Sequence, residues 1–208
     1  MSFLGFLPIL KNRGNKRFNE YLNDGGQYTF KYKRGLFENQ VIDRLMKRDV
    51  NLIQALPTNG IYTLIIFLSK EICLNVGKLG QHRFPKGYYT YTGSALGKGS
   101  ASLKRRISRH LQKKKRNFWH IDFLLANENA TVTAVAAAQT NKKLECTLNS
   151  YIKMEGETKI LVKGFGASDC KEKCESHLLY LGEEQIESKI VTVYSKRFGS
   201  KPLLVNFG

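Results

Sequence analysis

Five side chains have the types and spacing to work on a phosphodiester. Tyr62 closes the run Asn59-Gly60-Ile61-Tyr62, and Tyr91 opens Tyr91-Thr92-Gly93, 29 residues later. Arg106 and His110 stand four apart, and Glu145 is a lone carboxylate in a helix-like stretch. Hydrolysing such a bond needs an oriented water and an acceptor for its proton. It also needs positive charge on the developing oxyanions, usually with a divalent cation. Two tyrosines, an Arg/His pair and one Glu supply those roles. Taken singly, each has a plainer explanation. A strand tyrosine usually packs, Arg and His on a basic helix are usually solvated, and a helical Glu usually lies on the surface. The order and spacing of all five together carry the functional reading.

The elements needed to position them are legible in the pattern. Ile61 to Leu68 is aliphatic and β-branched, a buried strand, and Glu71 to Val76 reads as its hairpin partner after a turn at Ser69-Lys70. Gly77 to Gly87 reads as a loop, and Tyr88 to Tyr91 as a third strand. Alternation then aims Tyr62 and Tyr91 at one sheet face. Leu103, Ile107 and Leu111 recur at i, i+4 and i+8, the stripe of an amphipathic helix. On it Arg106 and His110 lie about 40° apart at the stripe's edge. Glu145 borders a similar stripe, Leu144/Leu148/Ile152. Trp119 to Ala126 reads as a short helix, with Trp119-His120-x-Asp122 as packing and capping at its start. Val132 to Ala138, His177 to Leu181 and Ile190 to Tyr194 read as strands. Before Pro57 the pattern is weaker: a short strand at Tyr28 to Tyr32 and a helix through Val41, Leu45, Met46 and Val50 to Ile53, ending before Pro57. Three segments follow: a basic extension (1–57), the domain bearing the five residues (58–182) and a tail (183–208).

Over residues 58–182 the chain resembles the GIY-YIG nuclease superfamily. The likeness rests on Gly60-Ile61-Tyr62 and Tyr91-Thr92-Gly93, with Thr92 where the second motif usually has a branched apolar residue. Phe84 to Gly97, Trp119 to Asp122, Gly164 to Cys170 and Ser176-His177-Leu178 resemble one small branch, also found fused to DNA-repair glycosylases. The resemblance implies an α/β fold, a small three-stranded antiparallel sheet flanked by helices, and a metal-dependent endonuclease. It implies that Tyr62 and Tyr91 position or deprotonate the attacking water, and that Arg106 holds the phosphate. His110 would assist proton transfer, and Glu145 would bind a single Mg²⁺ or Mn²⁺. A downstream Asn common in the superfamily has no secure match. The alternative is a catalytically weak nucleic-acid-binding or repair-complex docking module on the same fold.

Charge points to the same partner. The net charge is +17. Residues 58–119 carry thirteen Lys/Arg against one acidic residue, Glu71, whereas residues 120–208 balance to zero. A basic segment of this kind recruits polyanions by counterion release. Lys104, Arg105, Arg109, Lys113, Lys114, Lys115 and Arg116 are the residues expected to meet phosphates, with DNA favoured over RNA and a DNA-repair protein as a further partner. Four cysteines are too few for a disulfide scaffold, and no apolar run is long enough to span a membrane. A reducing, cytoplasmic setting is expected. Cys170-x3-Cys174-x2-His177 could offer three zinc ligands, with Cys146 or His120 as a fourth. The irregular spacing favours free thiols and a hydrogen-bonding His instead, so zinc is not expected.

Overall fold

The computed structural model describes residues 53–207, preceded by two short strands. These are β1 (Asn19–Leu22) and β2 (Tyr28–Lys31), an antiparallel pair in a unit spanning residues 1–49. The helix expected from Val41 to before Pro57 lies mostly outside the described residues, but its end is seen: Ile53 and Gln54 are helical. The second compact unit begins at Val50.

Its sheet is five-stranded and antiparallel throughout, not three-stranded. The strands are β3 (Gly60–Leu68), β6 (Gly87–Ala95), β7 (Ala130–Gln139), β8 (Leu178–Tyr180) and β9 (Leu203–Asn206), in the order β8-β6-β3-β7-β9. The three inner strands pair along nearly their whole length. The outer two are short and add only three and four paired positions. Short edge strands of this kind leave a weak sequence signal.

Antiparallel sheets commonly leave one face wet and then alternate apolar with polar. Here both faces are covered, which is why β3 is a nearly unbroken apolar run. Tyr62, Leu64, Ile66 and Leu68 face one core with α1 (Leu103–Leu111) and α2 (His120–Ala126), through Leu103, Ile107, Ile121 and Leu124. Ile61 and Ile65 face the other core with α3 (Glu145–Met154) and α4 (Glu187–Thr192), through Leu148, Ile152 and Ile190. Thr63 lies on this second face. It is fully buried, and its hydroxyl sits 3.1 Å from that of Tyr194 and 3.4 Å from that of Thr92. The unusual Thr in the second motif is therefore satisfied rather than stranded.

Two expected strands differ. Glu71 to Val76 does not pair with β3, because β6 and β7 occupy both of its edges. β4 (Ile72–Asn75) pairs instead with β5 (Gln81–Phe84), inside the segment expected to be loop. Gly77 and Gly80, at φ 55° and 82°, make the turn between them. Ile190 to Tyr194 is helical despite its β-branched residues: α4 runs into a wider turn at Val193–Arg197. Ile186, Ile190, Val193 and Tyr194, at i, i+4, i+7 and i+8, are all buried. Residues 183–208 thus supply a packed helix and the edge strand β9 rather than a trailing tail. No helix among the described residues is long and apolar enough to cross a membrane.

Candidate active site

All five chemistry-bearing residues line one cavity of about 550 Å³ where β6, α1 and α3 meet. The strand register explains the tyrosines. Tyr62 pairs with Gly93 and Leu64 with Tyr91, so both rings stand on the same face. Tyr62 lies directly over Gly93. A Cβ there would fall 2.6 Å from the Tyr62 hydroxyl and 2.8 Å from its Cζ, which is why the motif ends in glycine. Gly166, at φ 69°, leaves room for Tyr91 in the same way.

From α1, the buried His110 meets this face with Nε2 2.8 Å from the Tyr62 hydroxyl. Arg106, one turn earlier, donates from Nη1 to the Ser94 carbonyl at 2.9 Å and lies 5.1 Å from the Trp119 ring centre. Glu145 arrives from the other layer at the start of α3. Its Oε2 accepts the Ser94 hydroxyl at 2.6 Å. Ser94, given no role by the sequence, therefore joins the two layers by holding Arg106 through its carbonyl and Glu145 through its hydroxyl.

Burial sets the proton affinities. It raises the Tyr62 hydroxyl well above its ordinary value, with the Tyr91 hydroxyl adding to the rise and Arg106 opposing it. It pushes Tyr91 up to about 12, against the lowering effect of Arg106. His110 falls to about 3 through burial and then the Lys115 charge, only partly opposed by Asp122. All three groups rest neutral near pH 7, and the cavity's formal charges come from Arg106 and Glu145 with Lys143, Lys171, Asp169 and Glu172 at its lining.

The basic segment divides into structural and free cations. Lys113 donates to the carbonyls of Leu125, Asn127 and Ala130, closing the end of α2. Lys115 donates to the carbonyls of Arg109, His110 and Gln112, closing α1. Only 3% of the Lys115 side chain is exposed. Both thus act at helix C-termini, a use of Lys113 and Lys115 that the sequence pattern does not reveal. Arg109 pairs with the fully buried Asp122, which also accepts the N–H groups of Phe118 and Trp119 at 3.0 Å each. Lys104 donates to the Gln54 carbonyl. Arg105, Lys114 and Arg116 are exposed. The poly-basic run thus answers two needs, helix ends and solvent, and the sequence does not separate them.

The expected cofactor set requires a correction. Cys146, Cys170, Cys174 and His177 bring their ligand atoms within 4.8 Å of one another, a grouping that could hold a metal ion. Soft thiolates with one imidazole suit zinc, not a hard oxygen-seeking cation. A single Mg²⁺ or Mn²⁺ with zinc excluded therefore does not describe this chain's metal chemistry. His120, the alternative fourth ligand, is elsewhere: its Nδ1 accepts the Gly166 N–H at 3.0 Å. Sequence spacing leaves the fourth ligand open because Cys146 lies on α3, 24 residues before Cys170. Asn149, one turn beyond Glu145, belongs to no sequence motif either. It is buried and donates to the Ser176 carbonyl at 2.8 Å, tying α3 to the loop before β8.

No curated protein and no solved structure matches the chain. A family model described as a domain of unknown function, DUF123, does match, over residues 61–199. With that span covering most of its length, the chain belongs to the DUF123 family.

Proposed function

We propose that this protein is a metal-dependent endonuclease that hydrolyses nucleic-acid phosphodiesters, with DNA as the substrate and repair or recombination as the setting. The observation that carries the reading is the convergence of Tyr62, Tyr91, Arg106, His110 and Glu145 on one cavity, from four separate elements. The likeness of the two tyrosine motifs to GIY-YIG nucleases supports it, as does the basic surface of Arg105, Lys114 and Arg116.

In this reading the Tyr62 hydroxyl and His110 Nε2, 2.8 Å apart, form a proton relay. Tyr62 takes a proton from the attacking water as it passes its own to Nε2. Both partners are neutral at rest, so the relay starts without separated charge. Tyr91 orients the water from the same sheet face. Arg106 keeps one donor on Ser94 and offers the rest of its five N–H donors to the phosphate. Stacking on Trp119 holds the guanidinium in place. Glu145 is the carboxylate that would face the reaction's divalent cation, which supplies charge on the phosphoryl oxygens. A reducing cytoplasmic setting belongs to the same reading, and the four free cysteines fit it. Cation-dependent cleavage of a panel of DNA and RNA substrates, lost in Glu145→Gln, is the test.

A further inference from the structure

We propose that Cys146, Cys170, Cys174 and His177 form a structural zinc site that clamps the loop before β8 to the first turn of α3. The four ligand atoms lie within 4.8 Å of one another. Cys146 Sγ is 3.3 Å from Cys170 Sγ and 3.7 Å from His177 Nε2. Around a tetrahedral zinc, bond lengths of about 2.3 Å to sulfur and about 2.0–2.1 Å to nitrogen place sulfurs about 3.8 Å apart and sulfur from nitrogen about 3.5 Å. The observed cluster reaches that geometry if its widest separation closes by about 1 Å and the Cys146–Cys170 sulfurs, now 3.3 Å apart, open by about 0.5 Å.

One further feature belongs to such a site. Lys173 is the one non-glycine residue at positive φ among the described residues, at 53°. It lies immediately before Cys174, and its N–H closes a turn onto the Cys170 carbonyl at 3.2 Å. A left-handed lysine costs conformational energy, and such cost persists where the surroundings impose the geometry. Here it turns the chain so that Cys170 and Cys174 face the same point.

Four protein ligands close the coordination shell, so the ion is structural rather than catalytic. Its place gives it a second consequence, which rests on the nuclease reading above. Cys146 follows Glu145 directly, and the clamped loop carries Gly166 against Tyr91. Zinc would therefore fix Glu145 and Tyr91 relative to each other while touching neither.

The test is metal analysis of the full chain purified without chelator, beside cobalt substitution. Expected are one zinc per chain and, with Co²⁺, tetrahedral d–d bands accompanied by sulfur-to-cobalt charge transfer. Cys146→Ser and Cys174→Ser should fall below about a tenth of that zinc content, while Cys73→Ser, an exposed thiol outside the cluster, keeps it. Should the serine variants fail to fold, the wild-type zinc content and cobalt spectrum decide alone. Protein that is metal-free with four titratable thiols overturns the proposal, as does a Cys146–Cys170 disulfide. Zinc-loaded protein that cuts nothing would count against the nuclease reading and leave the zinc site standing. Zinc-free protein that cuts would do the reverse.

Discussion

Replacing Gly93 by alanine isolates the packing on which the tyrosine pair depends. The new methyl carbon would sit 2.6 Å from the Tyr62 hydroxyl, 2.8 Å from Cζ and 3.0 Å from Cε1. Ordinary carbon contacts begin near 3.5 Å, so the ring must move by roughly 0.7–0.9 Å. Tyr62 is fully buried and cannot swing out. Overpacking of this kind costs about 1–3 kcal/mol. Moving the hydroxyl also lengthens its 2.8 Å bond to His110, a further loss of about 1 kcal/mol. Urea unfolding should then show Gly93→Ala less stable by about 2–4 kcal/mol. Cleavage should fall by about 10² or more, because a shift near 1 Å is enough to misplace a reacting group. Tyr62→Phe removes the 2.6 Å clash but not the one at Cζ. The double variant should therefore be more stable than the sum of the single changes by about 0.5–1 kcal/mol. Gly93→Ala with wild-type stability, or strict additivity with Tyr62→Phe, would refute the packing of Tyr62 on Gly93.

Asp122→Asn leaves Arg109 and the buried Lys115 without their partner charge and should cost about 3–5 kcal/mol in chemical denaturation; a loss under about 1 kcal/mol would contradict its organising role. His110 has a depressed pKa, so the stability it contributes is complete above its unfolded value near 6.5 and is lost as pH falls towards about 3. Between about pH 6.5 and pH 5 the stability gap between wild type and His110→Gln should narrow by about 2 kcal/mol, and parallel urea profiles would show His110 to be solvated. Reversing Arg105, Lys114 and Arg116 to Glu should weaken DNA binding and flatten its salt dependence, by about 0.9 in slope for each phosphate no longer neutralised, with little change in stability. Lys115→Glu should destabilise instead, since it uncaps α1; an unchanged salt slope in the triple variant would move the binding surface elsewhere.

The sequence is most informative where a physical period is strong. β3 and α1 are legible because both bury a continuous apolar set, and the register of β3 with β6 follows once Tyr62 lies over Gly93. Short elements are not. β5 pairs only four residues and contains Gln, His and Arg, and β9 adds four at the edge, so neither has length or alternation enough to stand out. α4 reads as a strand from its β-branched composition, although its i, i+4, i+7 spacing is helical. The five cavity residues are recognisable by type, whereas Ser94, which joins Arg106 to Glu145, acts through a backbone carbonyl and a short hydroxyl. Three members of the metal-capable cluster are visible as Cys170, Cys174 and His177, but the fourth is not fixed by the sequence because Cys146 comes from a helix and the others from a loop.

Incubating wild type and Glu145→Gln with duplex, flapped, single-stranded and structured DNA and RNA, with and without added divalent cations, decides whether the protein is a nuclease. Wild type should cut at least one substrate only when a cation is present. Glu145→Gln should bind that substrate as well as wild type and cut it more slowly by several kcal/mol of lost transition-state stabilisation, on the order of 10² or more in rate. Cleavage by Glu145→Gln at the wild-type rate, or tight binding by wild type with no cleavage of any substrate, would rule out Glu145-dependent hydrolysis.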